Sequence, residues 1–175
     1  MDGDENQYSA MKISRDHQSW KGYTVKKSNY LVQPSVIRPK PSISNLVAYF
    51  RDRRAGHIYS STSGDEGMSW EVPQKTELPN NNAAIQASVL QSGHIALVYN
   101  PTNKERYPLC ISLSEDGGKT WPHSRDLETG PSGSEYSYPS ILQSPDGYIH
   151  VSYTYDRKTI KYVRFKENWI IQKNA

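Results

Sequence analysis

Four tryptophans, Trp20, Trp70, Trp121 and Trp169, fall at intervals of 50, 51 and 48 residues. Landmarks that return at so even a period mark a chain of like units, and such units stack to bury the faces that one alone leaves bare. Two of the tryptophans close the same eight-residue string. Ser63-Gly64-Asp65-Glu66-Gly67-Met68-Ser69-Trp70 and Ser114-Glu115-Asp116-Gly117-Gly118-Lys119-Thr120-Trp121 both read S-x-D-x-G-x-[ST]-W. Ser14-Arg15-Asp16-His17-Gln18-Ser19-Trp20 is one residue short and lacks the glycine, and reads as a worn copy. Around Trp169 only the indole survives, preceded by Lys166-Glu167-Asn168.

Other landmarks keep step with the tryptophans. Pro34-Ser35-Val36, Ala87-Ser88-Val89 and Pro139-Ser140-Ile141 begin short apolar runs. A turn follows each run: Arg38 to Ser44, Gln91-Ser92-Gly93, and Ser144-Pro145-Asp146-Gly147. Each turn leads to an alternating strand (Leu46 to Phe50, Ile95 to Tyr99, Ile149 to Tyr153), and a third strand runs up to the tryptophan motif (His57 to Thr62, Leu109 to Leu113, Thr159 to Phe165). Period-two alternation between Gly, Pro, Asn and Asp clusters is the strand-and-hairpin signal, and no run of ten or more residues has helical periodicity with caps. The chain is expected to be all-β. A unit of about 50 residues with four short antiparallel strands is a β-propeller blade. One propeller segment is expected over 1–175: the end of a blade at 8–29, blades at 30–79 and 80–130, and a further blade at 131–175, about three and a half in all. Closed propellers need at least four blades, so sheet faces stay open at both ends, and the chain is expected to self-associate through those edges, to sit against a missing half, or to be marginally stable.

The motif itself suits a tight turn between third and fourth strands. The Asp carboxylate accepts backbone N–H bonds within its own turn, Gly supplies a positive φ, and the Trp ring is buried between neighbouring sheets. Asp65, Glu66, Glu115 and Asp116 also admit a calcium-loop reading, but each copy offers few oxygen ligands at metal-loop spacing.

Composition narrows the partners. The 13 Tyr and 4 Trp against 2 Phe suit twisted sheets and sugar-binding surfaces alike. The net charge of +3 is mild, and Lys and Arg form no run of five, so nucleic acid is not an expected partner. No stretch approaches the roughly 18 apolar residues of a membrane helix. The single cysteine, Cys110, permits no internal disulfide, and Met1 to Met11 is acidic and polar rather than a secretory signal, so a cytoplasmic location is expected. His17, His57, His94, His123 and His150 share no metal-ligating spacing. No metal and no cofactor is expected.

The repeated strings, each following a strand, resemble the Asp-box, or BNR, repeat of sialidases. Glu135-Tyr136-Ser137-Tyr138-Pro139-Ser140-Ile141 with Asp146-Gly147, Leu78-Pro79-Asn80, and Phe50-Arg51-Asp52-Arg53-Arg54 extend the resemblance to the BNR-repeat glycosidase branch. The resemblance implies a six-bladed type of propeller, of which this chain is a part. It implies a glycan substrate or ligand, and Asp boxes at the periphery, away from the sugar. It also implies an arginine triad for the sugar carboxylate, a tyrosine nucleophile activated by a glutamate, and an aspartate acid/base.

Carried onto this chain, the nucleophile falls on Tyr138, eight residues before Asp146, with Glu135 as its base or a rim acid. The other reading makes Tyr136 and Tyr138 strand aromatics packed between sheets. Arg51, Asp52 and Arg53 lie where a mouth loop belongs, as a clamp plus an acid or as a solvated, salt-bridged turn. Asn80, with Asn81 and Asn82, could hydrogen-bond sugar hydroxyls or form an ordinary turn. Arg157 could serve a carboxylate or belong to a basic turn with Lys158. Gln33-Pro34-Ser35 stands where a sialidase often has an arginine shortly before Pro-Ser, so no full triad can be assigned. Two functions therefore stay open: part of a sialidase-like glycoside hydrolase acting on glycan termini, or a non-catalytic propeller segment that binds glycan or protein.

Overall fold

The computed structural model describes residues 7–39 and 45–172. The latter part of the expected Arg38-to-Ser44 turn, and the first six residues of the polar start, lie outside the described residues. Among the described residues, thirteen strands form four antiparallel sheets in chain order. The first sheet is the hairpin β1 (Ala10–Ile13) and β2 (Lys21–Thr24). The second runs β3 (Leu31–Ile37), β4 (Leu46–Asp52), β5 (Gly56–Ser63) and β6 (Gln74–Asn80). The third runs β7 (Gln86–Val89), β8 (Ile95–Tyr99), β9 (Leu109–Ser114) and β10 (His123–Glu128). The fourth has β11 (Tyr136–Gln143), β12 (Tyr148–Tyr155) and β13 (Thr159–Lys166), followed by the short helix α1 (Glu167–Ile171).

Alternation sorts each strand's side chains between two neighbouring layers. In β8, Ile95, Leu97 and Tyr99 pack toward the second sheet with Tyr49, Ile58 and Trp121, while Ala96 and Val98 pack toward the fourth with Ile141, Val151 and Tyr153. A strand buried on both faces reads as an unbroken apolar run, as Ile-Ala-Leu-Val-Tyr does. Between the first and second sheets lie Val25, Leu31, Ala48, Phe50 and Trp70. Burying each large aliphatic or aromatic side chain here stabilises the stack by about 1.5–3 kcal/mol. The first strands of neighbouring sheets touch: the Ala87 N–H on β7 donates to the Ser35 hydroxyl on β3 at 2.9 Å.

The Asp turns join third to fourth strands. Asp116 accepts the Thr120 N–H at 2.9 Å and the Thr120 hydroxyl at 2.6 Å, and Asp65 takes the same two groups of Ser69 at 2.8 and 2.6 Å. The Ser63 hydroxyl accepts the Gly67 N–H at 2.9 Å, and the Trp70 indole donates to the Gly67 carbonyl at 3.0 Å. Gly118 has φ +92°, and a Cβ there would overlap the Tyr49 hydroxyl, so glycine is required for both conformation and close approach. Trp121 meets Tyr49 edge-on at 5.9 Å. The shortened copy keeps its carboxylate network, with Asp16 accepting the N–H groups of Gln18 and Ser19 at 2.9 and 2.8 Å. His17 there takes φ +60°.

Two expectations are corrected. Trp70 and Trp121 are each 7% exposed, whereas Trp20 is 62% exposed. Each buried indole packs against the sheet before its own, and among the described residues no sheet precedes β1. The fourth sheet also has three strands rather than four. Trp169 lies on α1, which packs over β9 and β10 instead of pairing with β13. Its ring rests on Phe165 at 4.7 Å and under the Arg125 guanidinium at 4.1 Å.

Candidate functional site

Antiparallel connectivity puts every Asp turn at one end of the stack. The opposite end receives the β4–β5, β6–β7, β8–β9, β10–β11 and β12–β13 connections. The candidate residues gather there.

Tyr138 is placed by a bulge. The register of β11 against β12 shifts between Ser137 and Ser140, and Tyr138 takes φ +52°. Pro139 follows, and its missing N–H suits an interrupted ladder. β3 has the same construction at Gln33, with φ +50°, before Pro34. The two tyrosines of β11 therefore part ways. Tyr136 is 2% exposed, packs on Tyr155 at 5.2 Å and donates its hydroxyl to the Thr129 carbonyl at 3.3 Å. Tyr138 is 52% exposed. A non-glycine residue in the left-handed region costs about 1–3 kcal/mol and persists where its surroundings impose it.

Two arginines flank Tyr138. Arg51, at the end of β4, is half-buried and donates Nη1 to the Asn82 carbonyl at 2.9 Å, while its buried Nε has no hydrogen-bond partner. Burial pulls the Arg51 pKa down, the nearby Tyr138 phenol pushes it up, and the charge of Arg106 pulls it down further. Arg106, in the β8–β9 loop, lies over the Tyr138 ring with Cζ 5.5 Å from its centroid. Its Nη1 contacts Glu135 Oε1 at 3.0 Å. Arg157, in the β12–β13 turn, contacts Glu135 Oε2 through Nε at 2.7 Å. Glu135 Oε1 also accepts the Ser137 hydroxyl at 3.1 Å, so both oxygens are engaged. Burial raises the Glu135 carboxyl, but the bonds from Arg157 and Ser137 and the charges of Arg106 and Arg157 outweigh it and hold it below the usual carboxylate range.

The other expected residues face different work. Asp52 is buried and accepts Arg54 Nε at 2.9 Å and Nη2 at 2.8 Å, along with the Arg54 N–H at 2.9 Å. Arg54 also lies over Tyr30 at 5.0 Å, so Asp52 and Arg54 form the salt-bridged turn. Arg53 reaches the Gln7 side-chain carbonyl. Asn80 is fully buried, accepts the Asn82 N–H at 2.9 Å and donates to the Ala83 carbonyl at 3.2 Å. Asn82 has φ +66° and offers Arg51 its carbonyl, while its buried Oδ1 has no partner. Among the described residues no group of three or more His, Cys, Asp or Glu side chains comes together to hold a metal ion, and no helix is long and apolar enough to cross a membrane.

The structure thus brings together Tyr138, Arg51, Glu135 and Arg157, and adds Arg106. Only position in the repeat could have signalled Arg106, since it lies in the loop after Tyr99 as Arg51 follows Tyr49 and Arg157 follows Tyr153. An uneven loop length conceals that equivalence. Chemically, two guanidiniums beside an exposed phenol make a receptor for a planar anion with an oxygen nucleophile at its edge.

Several solved structures that resemble this fold are sialidases or trans-sialidases. The Hadza microbial sialidase Hz136 superposes with a TM-score of 0.77 at 20% identity, covering 93% of this chain and 33% of that one. The NanB sialidase of Streptococcus pneumoniae gives 0.78 at 19%, covering 92% and 28%. The intramolecular trans-sialidase of Ruminococcus gnavus, in complex with oseltamivir carboxylate, gives 0.72 at 19%, covering 94% and 39%. The chain therefore spans about a third of the length of these neighbours, and the likeness is one of β-propeller fold. No protein of curated function matches the sequence. The model of the BNR repeat-like domain matches residues 3–151, most of the chain, and the protein belongs to that family.

Proposed function

We propose that the chain forms the carboxylate-binding part of a sialidase-like glycoside hydrolase, acting on the acidic terminus of a glycan. Arg51 and Arg106 receive the sugar carboxylate, and Tyr138 presents its phenol oxygen to the anomeric carbon. One observation carries the reading: a strained bulge holds Tyr138 out of the core, between two guanidiniums. In the first step the phenol oxygen bonds to the anomeric carbon as the bond to the leaving oxygen breaks; the phenol proton is released to water and the leaving oxygen takes one up from water. Glu135, kept ionised by its arginines, is not the donor. Water then cleaves the bond between Tyr138 and the sugar and returns the phenol.

A second reading, anionic-glycan binding without turnover, is favoured by the state of two carboxylates at this end of the stack. Glu135 and Asp52 are both bound by arginines of this chain. Aryl sialoside hydrolysis by the purified chain separates the readings. Release of the aryl group that disappears in Tyr138→Phe supports the hydrolase. Saturable binding of the sialoside without release supports the binding module, and neither release nor binding contradicts both. The bare outer faces at Trp20 and at Leu142, Ile160 and Tyr162 further support self-association, which solution scattering would detect as a dimer.

A further inference from the structure

The β12–β13 turn is built against its own backbone preference. The turn Tyr155–Lys158 closes with the Lys158 N–H on the Tyr155 carbonyl at 3.0 Å. Its two central residues, Asp156 and Arg157, have φ +50° and +53°. A turn with positive φ at both centres is normally Asn-Gly or Asp-Gly, because a Cβ is disfavoured there. Here the second centre is an arginine. Such strain at a loop tip points to a task for the side chain it presents.

That side chain reaches Glu135 Oε2 at 2.7 Å, and the Asp156 carboxylate accepts the Glu135 N–H at 2.9 Å. Glu135 is therefore gripped from the turn at both side chain and backbone. Its other oxygen holds Arg106 at 3.0 Å, and Arg106 lies over Tyr138. Without that carboxylate, Arg106 would face the like charge of Arg51 with only the Tyr138 ring to hold it. We infer that Arg157 is a positioning residue, which pins Glu135 so that Glu135 braces the Arg106 guanidinium over the Tyr138 ring. The tip of β12–β13 thereby sets the geometry of the anion-binding mouth, and Glu135 is a brace rather than a base for Tyr138. This deepens the function proposed above and rests on it for its meaning, though not for its test.

The double variant Asp156→Asn/Arg157→Gly installs the sequence the turn prefers, keeps an acceptor for the Glu135 N–H, and removes the guanidinium. Its melting temperature should rise by about 2–4 °C, as relief of one strained residue implies for a chain of this size. The Tyr138 ring current should shift the Arg106 Nε–H resonance in the wild type, and in the double variant that resonance should move to its random-coil position. Arg157→Lys keeps a cation for the single contact to Oε2 and should retain the shift. An unmoved Arg106 resonance in the double variant overturns the inference. So does a fall in melting temperature, which would make the turn a support of the fold. With oseltamivir carboxylate as probe, the double variant should bind about tenfold more weakly, the loss of one charge-assisted contact. Equal affinity overturns the inference. A wild type that does not bind the probe at all counts against the proposed function instead, and the resonance alone then decides the brace.

Discussion

The two ends of the sheet stack are made by opposite rules. At the Asp-turn end, short-range hydrogen bonds satisfy each Asp carboxylate within four residues of itself, and positive φ falls on Gly67, Gly117 and Gly118 as well as on His17 and Glu66. At the other end, Tyr138, Asn82, Asp156 and Arg157 hold positive φ without being glycine, arginines crowd together, and Arg51 Nε, Asn82 Oδ1 and Asn100 Oδ1 are buried without partners. One end has been settled by local stability. The other crowds arginines around an exposed phenol, the arrangement that the proposed anion-binding role would use.

If the division is real, substitutions at the two ends should separate stability from binding. The largest effect belongs to the Asp-turn end. Trp121→Ala should lower stability by about 3–5 kcal/mol, measured by urea denaturation, because it empties the space against Tyr49. Tyr138→Phe should change stability by less than about 0.5 kcal/mol while abolishing any sialoside release, since the ring stays and only an exposed hydroxyl is lost. A destabilised Tyr138→Phe protein would break the comparison. Arg106→Ala should weaken anion binding about 10- to 100-fold by calorimetry, the range for a charge-assisted contact, with little change in melting temperature.

The smallest effect is acid sensitivity. Asp116 is held below the ordinary value near 3.8 by the Thr120 hydroxyl and N–H bonds, and Asp65 likewise by Ser69. A depressed folded pKa means stabilisation that is complete above the unfolded value and lost as pH falls through the folded one. Melting temperature should therefore decline below about pH 4, and Asp116→Asn should flatten that decline while lowering stability at neutral pH. An unchanged acid limb would deny the turns their role.

Legibility in the sequence follows the same division. The Asp turns could be read directly because all their partners lie within a few residues, and strand alternation is equally local. The first and last units were harder. Trp20 carries the same signal as Trp70, yet burial depends on a neighbouring sheet, and Trp169 sits in a segment whose helix packs on a distant strand. At the mouth, Tyr138 was singled out by the sialidase resemblance, eight residues before Asp146. Glu135 was expected as the base of Tyr138 or a rim acid, whereas its partners Arg106 and Arg157 come from two separate loops and no spacing rule reveals that they converge. Asp52 was open to two readings, a mouth acid or part of a salt-bridged turn, and Arg54, two residues on, closes on it as the second requires.

The most direct test of the central claim compares a carboxylate with its neutral ester. Oseltamivir carboxylate and oseltamivir ethyl ester, titrated calorimetrically against the full chain, differ in the one group that Arg51 and Arg106 would recognise. The account predicts binding of the acid, at least about tenfold weaker binding of the ester, and loss of the preference in Arg51→Ala. Equal affinity for acid and ester, or a preference that survives Arg51→Ala, would contradict it.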